Sequence, residues 1–204
     1  MARNLAAKLG RLNPKTTLFL LCDVQEKFRP VMKYFGEMVT NANKMVKAGK
    51  VFNIPLIVTE HYPEKLGKTV KEIDICHAAA VCTKTKFSMA TDEVLCKMEE
   101  IYDDKLKTVV LFGIECHVCI EQTTLDLLER GLNVQLVADA CMSRTLQDRD
   151  LALERLRQFG CVVTTSESVI FQLLKEKDNP KFDECRKLVA QPSADVGIKS
   201  MPKI

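Results

Sequence analysis

The sequence predicts a three-layer α/β/α protein on a six-stranded, mostly parallel, doubly wound (Rossmann-like) sheet. Two observations predict it. Short apolar runs rich in β-branched residues alternate with amphipathic helical patterns from residue 17 onward, the mark of repeated βα units. Most of those runs are apolar at successive positions rather than at every second one, as strands covered by helices on both faces must be. No Pro/Gly/Ser-rich linker or internal repeat divides the 204 residues. We therefore expect an N-terminal arm over 1–16, one domain over 17–190 and a poorly packed tail over 191–204.

The elements follow in order. Residues 17–22 read as the first strand. Residues 32–52 read as a helix with Met38, Ala42, Met45, Val46 and Gly49 on one face. Strands at 55–60 and 79–82 follow. Next come a helix over 91–102, carrying Val94, Leu95, Met98 and Ile101 inward, and a fourth strand at 108–112. A helix over 118–130 ends at Gly131, where a glycine can take the left-handed C′ conformation. A strand at 134–138, a helix over 146–159 closed by Gly160 and a strand at 161–165 complete the sheet. Ser166 is a candidate N-cap for the next helix.

Composition excludes several classes of function. The net charge of +3, with charges interspersed, gives no basic face for nucleic acid or an anionic membrane. Aromatic residues make up only 6% of the chain, too few for a base-stacking groove. No apolar run reaches the length of a membrane span. No GxGxxG or Walker motif follows a strand, which disfavours nucleotide binding of those kinds. The nine cysteines are odd in number and several lie inside strand-like runs, which points to free thiols in a reducing, cytoplasmic setting. Cys116 and Cys119 form a C-x-x-C, which raises thioredoxin-like or zinc chemistry, but no second C-x-x-C or H-x₃-H completes a zinc site. Arg3, Lys8, Arg11 and Lys15 precede the first acidic residue, Asp23, with Leu5, Leu9 and Leu12 at near-helical spacing. That segment reads as a short basic arm, with a mitochondrial targeting segment as the alternative.

In doubly wound sheets, ligands bind beyond the carboxyl ends of the strands. That rule selects Cys22-Asp23, Thr59-Glu60, Thr83-Lys84, residues 113–119 and Asp139. Each has a plain structural role open to it: a turn-forming Asp, a solvated lysine, a buried cysteine. Asp23, Lys84 and Cys119 make better sense together. A carboxylate can accept the thiol proton, and an ammonium stabilises the thiolate and offsets the carboxylate. A helix starting near Val118 adds partial positive charge, and backbone N–H groups near Glu115 and Cys119 could face an oxyanion. Gln25, Phe28, Tyr62 and Phe87 are candidates for the pocket wall, with core packing as the alternative. Asp139 and Arg144 read as organisers of the loop after the fifth strand.

Four pieces of sequence carry a family resemblance: Cys22-Asp23-Val24-Gln25-Glu26-Lys27-Phe28, Lys84-Thr85-Lys86-Phe87-Ser88, Gly113-Ile114-Glu115-Cys116-His117-Val118-Cys119 and Asp139-Ala140-Cys141-Met142-Ser143-Arg144. Through them the chain resembles the isochorismatase-like cysteine hydrolases over about 17–188. The resemblance implies an Asp–Lys–Cys triad at Asp23, Lys84 and Cys119, with Lys84 favoured over Lys86 and Cys119 over Cys116. It also implies a non-proline cis peptide at Ile114–Glu115. The Asp-x-His and later His that hold a metal in nicotinamidases of this superfamily are not matched by Thr59-Glu60-His61-Tyr62-Pro63, so we expect no metal and no cofactor. A retained cysteine favours attack on the carbonyl of a small amide, ester or related substrate. We expect a homo-oligomer, as the family often self-associates. The alternatives are a non-catalytic binding or scaffold protein on a hydrolase fold and, with less support, an RNA-processing nuclease.

Overall fold

A computed structural model describes residues 10–198. Six strands form one sheet: β1 (Thr17–Cys22), β2 (Leu56–His61), β3 (Ala80–Lys84), β4 (Thr108–Ile114), β5 (Asn133–Met142) and β6 (Val162–Thr164), in the order β3-β2-β1-β4-β5-β6. Every pairing is parallel. All residues of β1 and β4, at the centre, are buried, as their unbroken apolar runs require. β3 lies at the edge and exposes Val81. The chain winds outward from β1 to β3, then restarts at β4 and winds the other way to β6. The switch point therefore falls between β1 and β4, and right-handed crossovers put the two sets of helices on opposite faces.

The α-helices of two turns or more are α1 (Phe35–Phe52), α2 (Asp92–Tyr102), α3 (Glu121–Glu129), α4 (Leu146–Gln158), α5 (Ser166–Leu174) and α6 (Phe182–Val189). α1 packs with α5 and α6, and α3 packs with α4. Met38, Ala42, Met45, Val46 and Gly49 are all buried under α1, the face its periodicity predicts. Threonine side chains cap three helices: Thr91 accepts from the Val94 N–H, Thr145 from Asp148 and Thr165 from Ser168.

The structure corrects several sequence expectations. The first helix starts at Phe35, not 32, because residues Glu26–Val31 form a 3₁₀ turn containing Pro30 and Tyr34 takes a left-handed φ of 59°. The cap of α5 is Thr165; Ser166 instead gives its N–H and hydroxyl to Asp139, at 2.7 and 2.6 Å. β5 runs to Met142, longer than its apolar core suggests, and α6 was not foreseen at all.

The tail is also better packed than its composition implies, up to residue 198. Asn41 binds the backbone of Ala194 through both its side-chain amide and its carbonyl, each at 2.9 Å. Lys44 donates to the Gln191 carbonyl and the Ser193 hydroxyl, both at 3.1 Å. The fully buried Arg149 donates to the carbonyls of Val196 and Gly197, at 2.6 and 2.9 Å. Long polar side chains from α1 and α4 thus satisfy a segment with no secondary structure of its own. The expectations for residues 1–9, including a targeting segment, and for 199–204 lie outside the described residues. No described helix is long and apolar enough to cross a membrane.

Candidate active site

Asp23 follows β1 directly and holds a φ of 50°, a left-handed conformation that aspartate tolerates better than most side chains. Its N–H donates to the Thr59 carbonyl at 3.1 Å. In a regular strand, successive side chains point to opposite faces. The turn at Asp23 breaks that alternation, so Cys22 and Asp23 reach the same place. Asp23 is 1% exposed. One carboxylate oxygen, Oδ1, accepts from the Thr59 hydroxyl at 2.7 Å, and Oδ2 accepts from Lys84 Nζ at 2.5 Å.

Lys84 ends β3, opposite His61 in the sheet register. β3 lies two strand spacings from β1, about 9–10 Å. Only a long side chain crosses that gap, which is why a lysine from this edge strand can reach Asp23. Its Nζ also donates to the carbonyls of Phe87 at 2.8 Å and Lys86 at 3.2 Å, and lies 3.5 Å from His61 Nδ1. Burial works to lower the pKa of this ammonium. The Asp23 carboxylate, through its charge and its hydrogen bond, and the neighbouring cysteine sulfurs outweigh it and hold the group above the ordinary lysine value.

Cys119 lies in a π-helical turn, Cys116–Ile120, between β4 and α3. Cys22 Sγ, an Asp23 carboxylate oxygen and Cys119 Sγ lie within 4.8 Å of one another. Thr123 donates its hydroxyl to the Cys119 carbonyl at 2.6 Å and accepts from the Met89 N–H at 2.8 Å. It therefore joins the cysteine turn to the loop whose carbonyls hold Lys84. Two thiols and a carboxylate are donors a divalent cation could use. Here both carboxylate oxygens already accept, and the Lys84 ammonium supplies the positive charge. The donor set is thus arranged around a fixed ammonium.

Gly113 permits the close approach. Its φ is 125°, and a Cβ built there would stand 2.1 Å from the Cys22 carbonyl oxygen. Only glycine lets the end of β4 lie against the end of β1 at the switch point. The peptide bond between Ile114 and Glu115 is cis.

The Cys116/Cys119 pair is divided between two neighbourhoods. Cys119 faces Cys22. Cys116 is fully buried beside Cys141, whose thiol is pushed well above the ordinary value by its hydrogen bond with Cys116 and by burial. That division weighs against a thioredoxin-like pair. All nine cysteines are free. The Glu115 carboxylate accepts from the Arg144 N–H at 2.9 Å and His117 Nδ1 lies 2.9 Å from the Ser143 hydroxyl, so these four residues tie the turn to the end of β5.

The pocket candidates separate. Gln25 is fully buried and its amide is spent: it donates to the carbonyls of His61 and Gly67 and accepts from the His61 N–H at 2.7 Å. It clamps the ends of β1 and β2 and offers a substrate no free group. Phe28 packs against the core. Phe87, 49% exposed, stacks on His61 with ring centroids 5.6 Å apart, and Tyr62 is 45% exposed beside them. Tyr62, Thr83 and Lys84 border an open cleft of about 350 Å³.

Burial, then the nearby Lys84 charge, lowers the pKa of His61 below the usual histidine value. In an NMR titration His61 should stay neutral below pH 6.5, and Lys84→Met should move its midpoint part of the way back. Because the folded value is depressed, the unfolded chain takes the proton first. The stability contribution of His61 is therefore present above about pH 6.5 and lost as pH falls below it. A His61 midpoint at or above the free value would contradict this packing.

Sequence reasoning placed Cys22, Asp23, Thr59, Lys84 and Cys119 at the strand ends but gave Cys22 and Thr59 no role and did not single out Thr123; the structure brings these residues together. Strict strand alternation sends Cys22 and Asp23 to opposite faces, and that hid the role of Cys22.

A doubly wound parallel sheet that gathers a thiol, a carboxylate and an ammonium beyond its strand ends is what the resemblance to the isochorismatase-like hydrolases leads one to expect. Comparisons with known proteins agree. Residues 17–168 match the family model of the isochorismatase domain. The chain is 44% identical over 194 residues to isochorismatase domain-containing protein 2 of Xenopus laevis, covering 95% of this chain and 93% of that one. It is 45% identical over 192 residues to isochorismatase domain-containing protein 1 of Danio rerio, covering 94% and 67%. Among solved structures, one described as MAR1 ribonuclease from Caenorhabditis elegans superposes with a TM-score of 0.88 at 41% identity, covering 96% of this chain and all of that one. The octameric YcaC hydrolase of unknown specificity from Escherichia coli shares the fold, with a TM-score of 0.79 at 21% identity over 88% of this chain and 90% of that one. This chain belongs to the isochorismatase family.

Proposed function

We propose that this protein is a cysteine-dependent hydrolase of a small amide, ester or related acyl substrate, working through an Asp23–Lys84–Cys119 triad and a thioester. The observation that carries the reading is the meeting of three groups from three strand ends. Cys119 Sγ lies within 4.8 Å of the Asp23 carboxylate, which Lys84 holds at 2.5 Å.

Asp23 takes the proton of Cys119, and Lys84 keeps the resulting thiolate and carboxyl group in balance. The thiolate attacks the substrate carbonyl, and the N–H groups of Glu115 and Cys119 stabilise the oxyanion. Asp23 returns the proton to the departing amine or alcohol. Water activated by Asp23 then cleaves the thioester and frees the cysteine. Loss of one oxyanion donor should slow turnover about a hundredfold or more.

The near burial of the triad supports a small substrate: Asp23, Lys84 and Cys119 are 1, 5 and 7% exposed. A second reading, hydrolysis of RNA, draws on the ribonuclease name of the neighbour from Caenorhabditis elegans. A polynucleotide backbone needs an open, basic groove, and the nearly buried triad favours the small acyl substrate. Exposed Val81, Tyr62 and Phe87 near β3 fit self-association beside the site.

Alkylation tests the reading. Iodoacetamide at neutral pH should modify Cys119 before the other eight cysteines, and Asp23→Asn should slow it at least tenfold. A screen of small amides and esters, with RNA as a parallel arm and Cys119→Ser as control, should then show turnover that depends on Cys119. Alkylation of Cys119 no faster than of exposed Cys76 or Cys96 would count against a primed nucleophile. Ligand binding without turnover would favour a binding protein.

A further inference from the structure

Within the cluster around Cys119, the thiol that the mechanism leaves unused is Cys22. It is fully buried, sits one residue before Asp23, and brings its Sγ within 4.8 Å of both Cys119 Sγ and the Asp23 carboxylate. Its thiol is within hydrogen-bonding contact of Cys119. Two roles are open to a buried thiol in that position. It can act as a small hydrophobe that fills space under the sheet. It can also act as a proton donor toward whichever neighbour carries negative charge.

We propose that Cys22 is a positioning residue for the nucleophile: its S–H donates to the Cys119 thiolate, so that thiolate is stabilised from one side by Lys84 and from the other by a neutral buried donor. The proposal rests on the reading of Cys119 as the nucleophile and names a further group that prepares it. Its chemistry requires that Cys22 keep its proton when Cys119 loses one. Burial, the contact with Cys119 and the Asp23 charge all push the Cys22 thiol well above the ordinary value, so the two thiols divide their roles. Cys119, the proposed nucleophile, sits in the turn before α3 with slight exposure. Cys22 ends the central strand without exposure and stays neutral. A neutral donor suits this place, because a second cation beside Lys84 would be repelled and a second anion would oppose the thiolate. The breaking of strand alternation at Asp23 is what delivers the two side chains to one point. A regular strand would have sent Cys22 to the far face of the sheet.

The test is the pH dependence of Cys119 alkylation by iodoacetamide, read on the Cys119 peptide by mass spectrometry in the full-length protein. Four proteins are compared: the parent, Cys22→Ala, Cys22→Val and Cys22→Ser. Alanine leaves a void and valine adds bulk, so a packing role would move these two differently. Both lack a donor, so the proposal requires that both raise the alkylation midpoint together, by about half to one pH unit. That shift makes the Cys119 peptide roughly three- to tenfold slower to label at any pH below both midpoints. Serine restores a donor and should return the midpoint most of the way to the parent value. Midpoints for alanine and valine equal to that of the parent overturn the proposal while leaving the Cys119 reading intact. A parent midpoint at that of an ordinary free thiol overturns both. Should any one variant not fold, the other two still decide between donor and filler.

Discussion

Gly113→Ala should destabilise the protein by more than about 4 kcal/mol, beyond the range of ordinary point substitutions. Two costs combine. The φ of 125° lies where an L side chain is strained, and the new Cβ would stand 2.1 Å from the carbonyl oxygen and 2.8 Å from the nitrogen of Cys22. Those are backbone atoms, so no side-chain rotation relieves the clash. Relief requires β4 to part from β1 at the switch point, which breaks the pairing of Cys22 with Gly113 and displaces Asp23. The matched control is Gly131→Ala: its φ is 79°, and nothing lies within 4 Å of its built Cβ. That substitution bears the conformational cost alone, about 1 kcal/mol. Urea unfolding of the two variants measures the difference. Equal losses at 113 and 131 would mean that the contact between the strand ends is not the constraint. In Gly113→Ala, Cys119 should also lose any advantage in alkylation, since its distance from Asp23 is set by the same contact.

The order and type of the strands were legible because burial on both faces leaves a mark in sequence. β1 and β4 are continuous apolar runs, and the helices between strands repeat at the helical period. The parts that were not legible depend on contacts between distant segments. Nothing in residues 191–198 announces order, because the groups that hold it are Asn41, Lys44 and Arg149, up to 153 positions away. The start of α1 was misplaced because a left-handed Tyr34 is set by tertiary packing rather than by its own preference. Gln25 looked like a wall of the pocket because it lies two residues beyond Asp23. Its amide is instead used up by the ends of β2 and the following loop. The candidate triad was legible because strand ends in this topology converge, and three chemically complementary residue types fell on three of them. The role of Cys22 was not, because the meeting of its side chain with that of Asp23 depends on one backbone torsion at Asp23.

Removing the charges of the Lys84–Asp23 pair one at a time and together should separate folding from chemistry. Lys84→Met leaves the Asp23 carboxylate, 1% exposed, without its cation, and should lose about 3–5 kcal/mol. Asp23→Asn leaves the Lys84 ammonium buried beside two backbone carbonyls and a neutral amide, and should lose somewhat less, because Phe87 and Lys86 still accept from it. The double variant removes both charges. Its stability should recover to within about 2 kcal/mol of the parent, since a buried ion pair seldom outdoes a neutral pair of similar shape once desolvation is counted. The pH dependence has a definite sign. The folded-state pKa of Lys84 is raised, so its contribution is complete below the unfolded value of about 10.4 and disappears as pH rises through the folded value. Parent and Asp23→Asn should therefore differ less in alkali than at neutral pH. If the losses of the two single variants simply add in the double, the pair is not coupled and the site is misread. If the double variant folds well, fold stability gives no reason for a charged pair at the centre of the molecule. Alkylation of Cys119 then carries the decision: it should be slow in all three variants, including the stable one, because each lacks the proton acceptor, the cation beside the thiolate, or both.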